Sequence, residues 1–148
     1  MSWNSHITVA CVVERDGRFL LVEERVEGEL VLNQPAGHWD EGETLAEAAR
    51  RETLEESAWE VEPTALLGIY AYKPPLLDYG FLRIAFAAQP LRHQPQRELD
   101  HGIERALWLG RDELAACTAR HRSPMVLRCV DDYLSGRRYP LDLIAHLR

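Results

Sequence analysis

Residues 37–59 read GHWDEGETLAEAARRETLEESAW, and no other stretch restricts the possible folds of this chain as much. Thr44 and Glu47 match a capping box, in which two side chains satisfy each other's orphan amide donors, so a helix is expected from about Leu45 to Ser57. At 100° per residue, Leu45, Ala48 and Ala49 lie on the same side as Glu52 and Glu56, with Glu55 at the margin. The packing stripe therefore runs straight into carboxylates at the end of the helix where the macrodipole is already negative. Near a low-dielectric wall, two such charges about 5 to 6 Å apart repel by roughly 3 kcal/mol at an effective dielectric of about 20.

Two readings fit these residues alone. One is a solvated helix end, in which Arg51 pairs with Glu47 and Glu55 at i,i±4 spacing. The other is a site for a hard divalent cation such as Mg²⁺, which takes carboxylate oxygens and shares its remaining positions with water and phosphate.

The flanks of the helix read as strands. ITVACVVE and FLLVEER bracket Asp16-Gly17, a tight-turn pair, and predict a hairpin. LVLNQPAG predicts a short extended piece, and ALLGIYAY and YGFLRIAFAA predict two strands interrupted by the prolines of KPPLLD. After a polar stretch, QPLRHQPQRELDHG, come a short strand in IERALWL and a helix in RDELAACTARH. Pro124 is placed to open a helix through MVLRCVDDYL, closed by Gly136, and PLDLIAHL suggests one more helical turn. This alternation is expected to give an α/β fold in a single domain, 1–148, with a C-terminal helical extension at about 123–148.

Composition narrows the function. At 148 residues the chain can bury a core without staples, and no apolar run approaches a membrane span. A net charge of −7, with Lys73 the only lysine, opposes nucleic-acid polymers as partners but allows a small phosphorylated ligand if a cation mediates. Cys11, Cys117 and Cys129 form no metal or disulfide pattern and are expected to be core thiols. The N-terminus reads as a strand and not as an export signal, so a cytoplasmic, membrane-free protein is expected.

The stretch resembles the Nudix box, G-x5-E-x7-R-E-U-x-E-E-x-G-U, where U is a bulky apolar residue. Gly37, Glu43, Arg51, Glu52, Glu55 and Glu56 all match in spacing. At typical residue frequencies, six such matches arise by chance about 10⁻⁷ times per start position. The resemblance implies an α/β/α sandwich around a mixed sheet. It also implies Mg²⁺ or Mn²⁺ held by Glu52 and Glu56, assisted by Glu55, with the Gly37 carbonyl in the shell. Arg51 would orient Glu52, and Glu43 would be structural. The general base varies among members; Glu104, just before RALWL, is preferred here over Asp100 and Glu98, although an exposed loop charge reads the same way. Two positions depart from the pattern: Thr53 replaces an aliphatic residue, and Ala58 replaces the glycine that ends the helix.

Beyond the box, HITVACVVE, NQPAGH, FLRIAFA and RSPMVLRCVDDYLSGRRYPLDLI are similar to the bacterial phosphatase NudJ subgroup. That similarity implies hydrolysis of diphosphate linkages in nucleoside tri- and diphosphates and in the thiamine-precursor pyrimidine diphosphate, by a monomer or weak homodimer. Arg25, Lys73 and Arg83 are candidates for phosphate contacts, though Arg83 also reads as an exposed or ion-paired strand residue. Trp39 and Tyr72 are candidates for stacking on a base, alongside Tyr70, Tyr79 and Phe81. His38, His93 and His101 receive no catalytic role. A non-catalytic Nudix module that senses a nucleotide or binds a partner is the competing expectation, raised by Ala58.

Overall fold

Left-handed residues turn the chain twice at its start. In a computed structural model that describes residues 4–147, Asp16 (φ 53°) and Gly17 (φ 78°) connect β1 (Asn4–Arg15) to β2 (Arg18–Val26). The ends of the expected 1–148 unit lie outside the described residues. Positive φ at both central residues is what a two-residue hairpin needs to match strand twist. Glu27 (φ 50°) and Gly28 (φ 83°) repeat the device before β3 (Glu29–Asn33), a second hairpin that the sequence does not announce, because Glu-Gly is not a usual turn pair.

Strand β4 (Ala36–His38) leads through the polar loop to α1 (Leu45–Ser57), which starts where the capping box places it. Next come β5 (Trp59–Tyr72), β6 (Tyr79–His93), β7 (Ile103–Gly110), α2 (Arg111–Ala115) and α3 (Met125–Leu134). β1 pairs with β2 only beside their turn, at Glu14↔Phe19 and Arg15↔Arg18. Farther along, β1 runs between β4, antiparallel, and β6, parallel, with β5 antiparallel beyond β6. β2 lies between β3 and β7, antiparallel to both. The splayed hairpin thus feeds one strand to a mixed unit and one to an antiparallel unit.

Alternation along the strands builds two cores. Val9, Cys11 and Val13 of β1 pack with Ile84 and Phe86 under Ala48 and Ala49 of α1. Val12, Phe19, Leu21 and Ala85 pack on the opposite side with Leu114 of α2 and Val126, Cys129 and Val130 of α3. The expected α/β/α sandwich is therefore present, and Cys11 and Cys129 are buried thiols.

Three expectations differ in extent. β5 begins at Trp59 and β6 continues to His93, through stretches read as polar connections, because the two pair with each other there (Trp59↔His93). Pro63 and Pro90 are accommodated beside register shifts, where a missing N–H costs no ladder bond. The helix expected across RDELAACTARH stops at Ala115. A separate 3₁₀ turn spans Thr118–Arg120, since the Leu32 carbonyl takes the Arg122 N–H and draws the chain into an extended path.

Both departures from the box have local explanations. Thr53 is fully buried, and its hydroxyl donates to the Ala49 carbonyl (2.8 Å), so no polar atom is stranded in the core. Ala58 adopts the left-handed cap (φ 63°, ψ 18°), and its N–H donates to the Leu54 carbonyl. Ala58→Gly relieves about 1 kcal/mol of strain and removes one buried methyl worth about 0.8 kcal/mol. Thermal unfolding is expected to move by less than about 4 °C, the equivalent of ~1 kcal/mol in a domain of this size.

After α3 the chain crosses the free edge of β5. Tyr139 exchanges two 2.8 Å backbone hydrogen bonds with Leu66, and Ile144 packs on the α1-side core. His146 Nε2 then accepts from the Leu45 N–H (3.1 Å), one of the orphan donors at the start of α1.

Candidate active site

Arg51 is the hub of the site. Its Nε and Nη2 donate to both carboxylate oxygens of Glu43 (2.6 and 3.0 Å), a bidentate pair that ties the preceding loop to α1. Its Nη1 donates to Glu52 (2.7 Å) and Glu55 (2.9 Å), and its Nη2 also donates to the His38 carbonyl (3.1 Å). One guanidinium thus sets the rotamers of two helix carboxylates and the path of the loop. Bonding to Arg51 holds the Glu43 carboxyl below its usual range, and the Arg51 guanidinium is pushed further toward the charged form.

Gly37 on β4 is needed for space. Its φ is not in the left-handed region, but a Cβ built on it would lie 2.1 Å from Glu52 Cδ and Oε2. The strand backbone and the carboxylate are in contact, which only glycine permits. One residue earlier, the Ala36 N–H donates to Glu56 Oε1 (3.0 Å). Burial pushes Glu56 up to about 8, with Glu24, Glu52 and Asp100 adding repulsion against the Ala36 bond. Glu52 is also raised, by burial first, while Arg51 opposes the shift and Glu55 and Asp100 reinforce it.

The loop after β6 delivers one more acid. The Asp100 N–H donates to the Glu55 carbonyl (3.0 Å), and single oxygens of Glu52, Glu55 and Asp100 lie within 4.8 Å of one another. An all-oxygen donor set of this kind, beside a buried glutamate made reluctant to ionise, fits a hard divalent cation. Glu104, the acid preferred from sequence, instead pairs with Arg25 (3.1 Å) where β7 meets β2, because Ile103 lies opposite Glu24 and carries its neighbour to that outer position.

A cavity of about 650 Å³ opens beside Gly37, Glu52 and Glu56. Tyr72, Tyr79 and Phe81 form an aromatic wall, and Arg83 lies deeper on the same face of β6. Tyr72 and Arg83 are therefore at the cavity as expected. Arg25, Lys73 and Trp39 are outside its lining: Arg25 is taken by Glu104, Lys73 Nζ donates to the Pro74 carbonyl, and Trp39 Nε1 donates to the Glu43 carbonyl. Tyr70 is bonded to Asp132 (2.7 Å). Glu24, Asn33, Arg122 and Ser123 line the cavity without having been singled out, as does His38, which received no catalytic role from the sequence. Their signal was missing because they come from four separate segments with no shared spacing.

A NUDIX domain profile matches residues 4–129. The chain belongs to the Nudix hydrolase family. This Nudix chain is 39% identical over 139 residues to "Phosphatase NudJ" of Escherichia coli K12, covering 94% of this chain and 90% of that one, and matches the Shigella flexneri protein of the same name equally. Among solved structures it superposes on a NUDIX hydrolase from Nitrosomonas europaea with a TM-score of 0.94 at 43% identity, covering 97% and 98% of the two chains. A UDP-X diphosphatase shares the fold at a TM-score of 0.73 and 17% identity, over 94% of this chain and 67% of that one. The Nudix hydrolase identified this way is an enzyme of acid-anhydride chemistry.

Proposed function

We propose that this hydrolase cleaves diphosphate linkages of small organic phosphates in a reaction dependent on Mg²⁺ or Mn²⁺. Nucleoside tri- and diphosphates and the thiamine-precursor pyrimidine diphosphate are the leading substrates, in keeping with the similarity to proteins called phosphatase NudJ. The observation that carries the reading is the meeting of Glu52 with Glu55 and Asp100, beside an aromatic-walled cavity that Glu52 and Glu56 line. Glu52 and Glu56, with Glu55 and the Gly37 carbonyl, would hold the ion, which when bound neutralises phosphate charge and acidifies a water.

The chain's own residues account for the rest. Arg51 keeps Glu52 and Glu55 from splaying apart. Water attacks phosphorus in line, the bridging P–O bond breaks, and a carboxylate takes the proton. We assign that acceptor role to Asp100, whose carboxylate stands at the acidic group, in place of Glu104, which is engaged by Arg25. Tyr72, Tyr79 and Phe81 offer rings on which the organic group can stack.

The test is a substrate panel with separate detection of orthophosphate and pyrophosphate. Turnover is expected to vanish in EDTA and return with Mg²⁺ or Mn²⁺, and Glu52→Gln is expected to lower kcat/KM by about a hundredfold, ~2.7 kcal/mol of transition-state stabilisation. Nucleotide binding without turnover at any metal concentration would establish a non-catalytic sensor instead.

A further inference from the structure

We infer that Arg83 and the first turn of α3 form a recognition site for the unesterified terminal phosphate of the substrate, a specificity device that rests on the hydrolase reading above. Arg83 is 3% exposed, yet it belongs to none of the ion pairs among the described residues. Its Nη1 donates to Gln34 Oε1 (2.7 Å) and its Nη2 to Asn33 Oδ1 (2.8 Å), both neutral amides. Its Nε is buried and has no partner. By contrast, the buried carboxylate of Glu23 is met by both Arg105 and Arg120. A buried cation held in plane by amides, with one donor unused and no counter-charge, is a site that an anion completes.

Its location selects the anion. The guanidinium hangs from Asn33 and Gln34, while the carboxylates of Glu56 and Glu52 meet Ala36 and Gly37 of the same strip. Asn33 and Ala36 are three positions apart, at most about 11 Å of chain. A phosphoryl chain held at the acidic rim therefore reaches Arg83 without a spacer. The ten-residue α3 adds its positive end, since Ser123 and Met125 at its start line the same cavity. Ser123 Oγ accepts from the Met125 N–H, which leaves the hydroxyl proton to turn toward a ligand. Arg122, the other cation in the lining, is occupied by Glu24 (2.6 Å).

The site is also closed behind. Cys129 Sγ lies 3.8 Å from Arg83 Nη1, and Gln34 is pinned by its bond to the Val126 carbonyl (2.7 Å), all of them buried. A terminal phosphate fits against such a wall, whereas an ester substituent beyond it would have nowhere to go. The aromatic residues Tyr79 and Phe81 lie toward the start of β6, which leaves the organic group at the other end of the same row.

The experiment compares a nucleoside diphosphate with its terminal methyl ester, on wild type, Arg83→Met and Arg83→Lys. Wild type is expected to prefer the free diphosphate by about a hundredfold in kcat/KM. Arg83→Met is expected to lose that preference by slowing only the free diphosphate, and Arg83→Lys to restore part of it. Equal losses on both substrates would overturn the assignment and mark Arg83 as a structural residue or a contact for the base. A second measurement needs no variant and no turnover: with wild type in EDTA, inorganic pyrophosphate should raise Tm while its dimethyl ester does not. Equal shifts, or none, would overturn the proposal. A shift by pyrophosphate alone in a protein that turns over nothing would sink the hydrolase reading and leave this site standing.

Discussion

Gly37→Ala is expected to lower kcat/KM by about a hundredfold, ~2.7 kcal/mol, while leaving the fold intact. The added methyl would sit 2.1 Å from the Glu52 carboxylate, well inside contact distance. Backbone on a paired strand yields less readily than the end of a side chain, so Glu52 is the group that moves. It would surrender its 2.7 Å bond from Arg51 and leave the acidic group that it forms with Glu55 and Asp100. The stability cost is confined to one hydrogen bond and a rotamer change, about 1 kcal/mol, because β4 keeps its pairing with β1. Steady-state kinetics beside a thermal melt separate the two effects. A variant with near-normal turnover would show that Glu52 need not occupy its observed position.

Glu56→Gln is expected to lower turnover to a similar degree and yet make the metal-free protein more stable at alkaline pH. Glutamine keeps the shape and the acceptor for the Ala36 N–H but removes the charge. In the folded chain burial raises Glu56 from 4.5 to about 8, so the folded state holds this proton more tightly than the unfolded state does. The stabilisation associated with that proton is complete below the unfolded value and is lost as pH rises through the folded one. Each pH unit between the two values is worth ~1.4 kcal/mol, so the loss amounts to a few kcal/mol by pH 8. In EDTA the two proteins should melt together near pH 4 and separate progressively above it, the variant being the more stable. Mg²⁺ should then stabilise the wild type more at pH 8 than at pH 6, since binding displaces the proton, and should do little for the variant. Parallel melts across that range would refute the account of Glu56.

Local signals in the sequence carried the helix and its chemistry because their physics is local. The Thr44 and Glu47 caps lie three residues apart, and the acids repeat on the helical period, so both act through one turn of backbone. The Asp16-Gly17 turn was equally readable, for it depends on two backbone angles. Glu27-Gly28 was not, since a glutamate enters the left-handed region only when the strands on either side impose it. The ends of β5 and β6 were missed for a related reason: Trp59 and His93 are extended because they face each other.

What residues 37–59 determined by themselves was a helix, its phase and a cluster of negative charge at its end. Which acid completes that cluster was decided by the loop that hydrogen-bonds Asp100 to Glu55, and which cation faces the cavity by the pairing that sets Arg83 against Thr8. Those choices depend on contacts between residues tens of positions apart. Spacing along a chain carries no record of such contacts until the strands have paired.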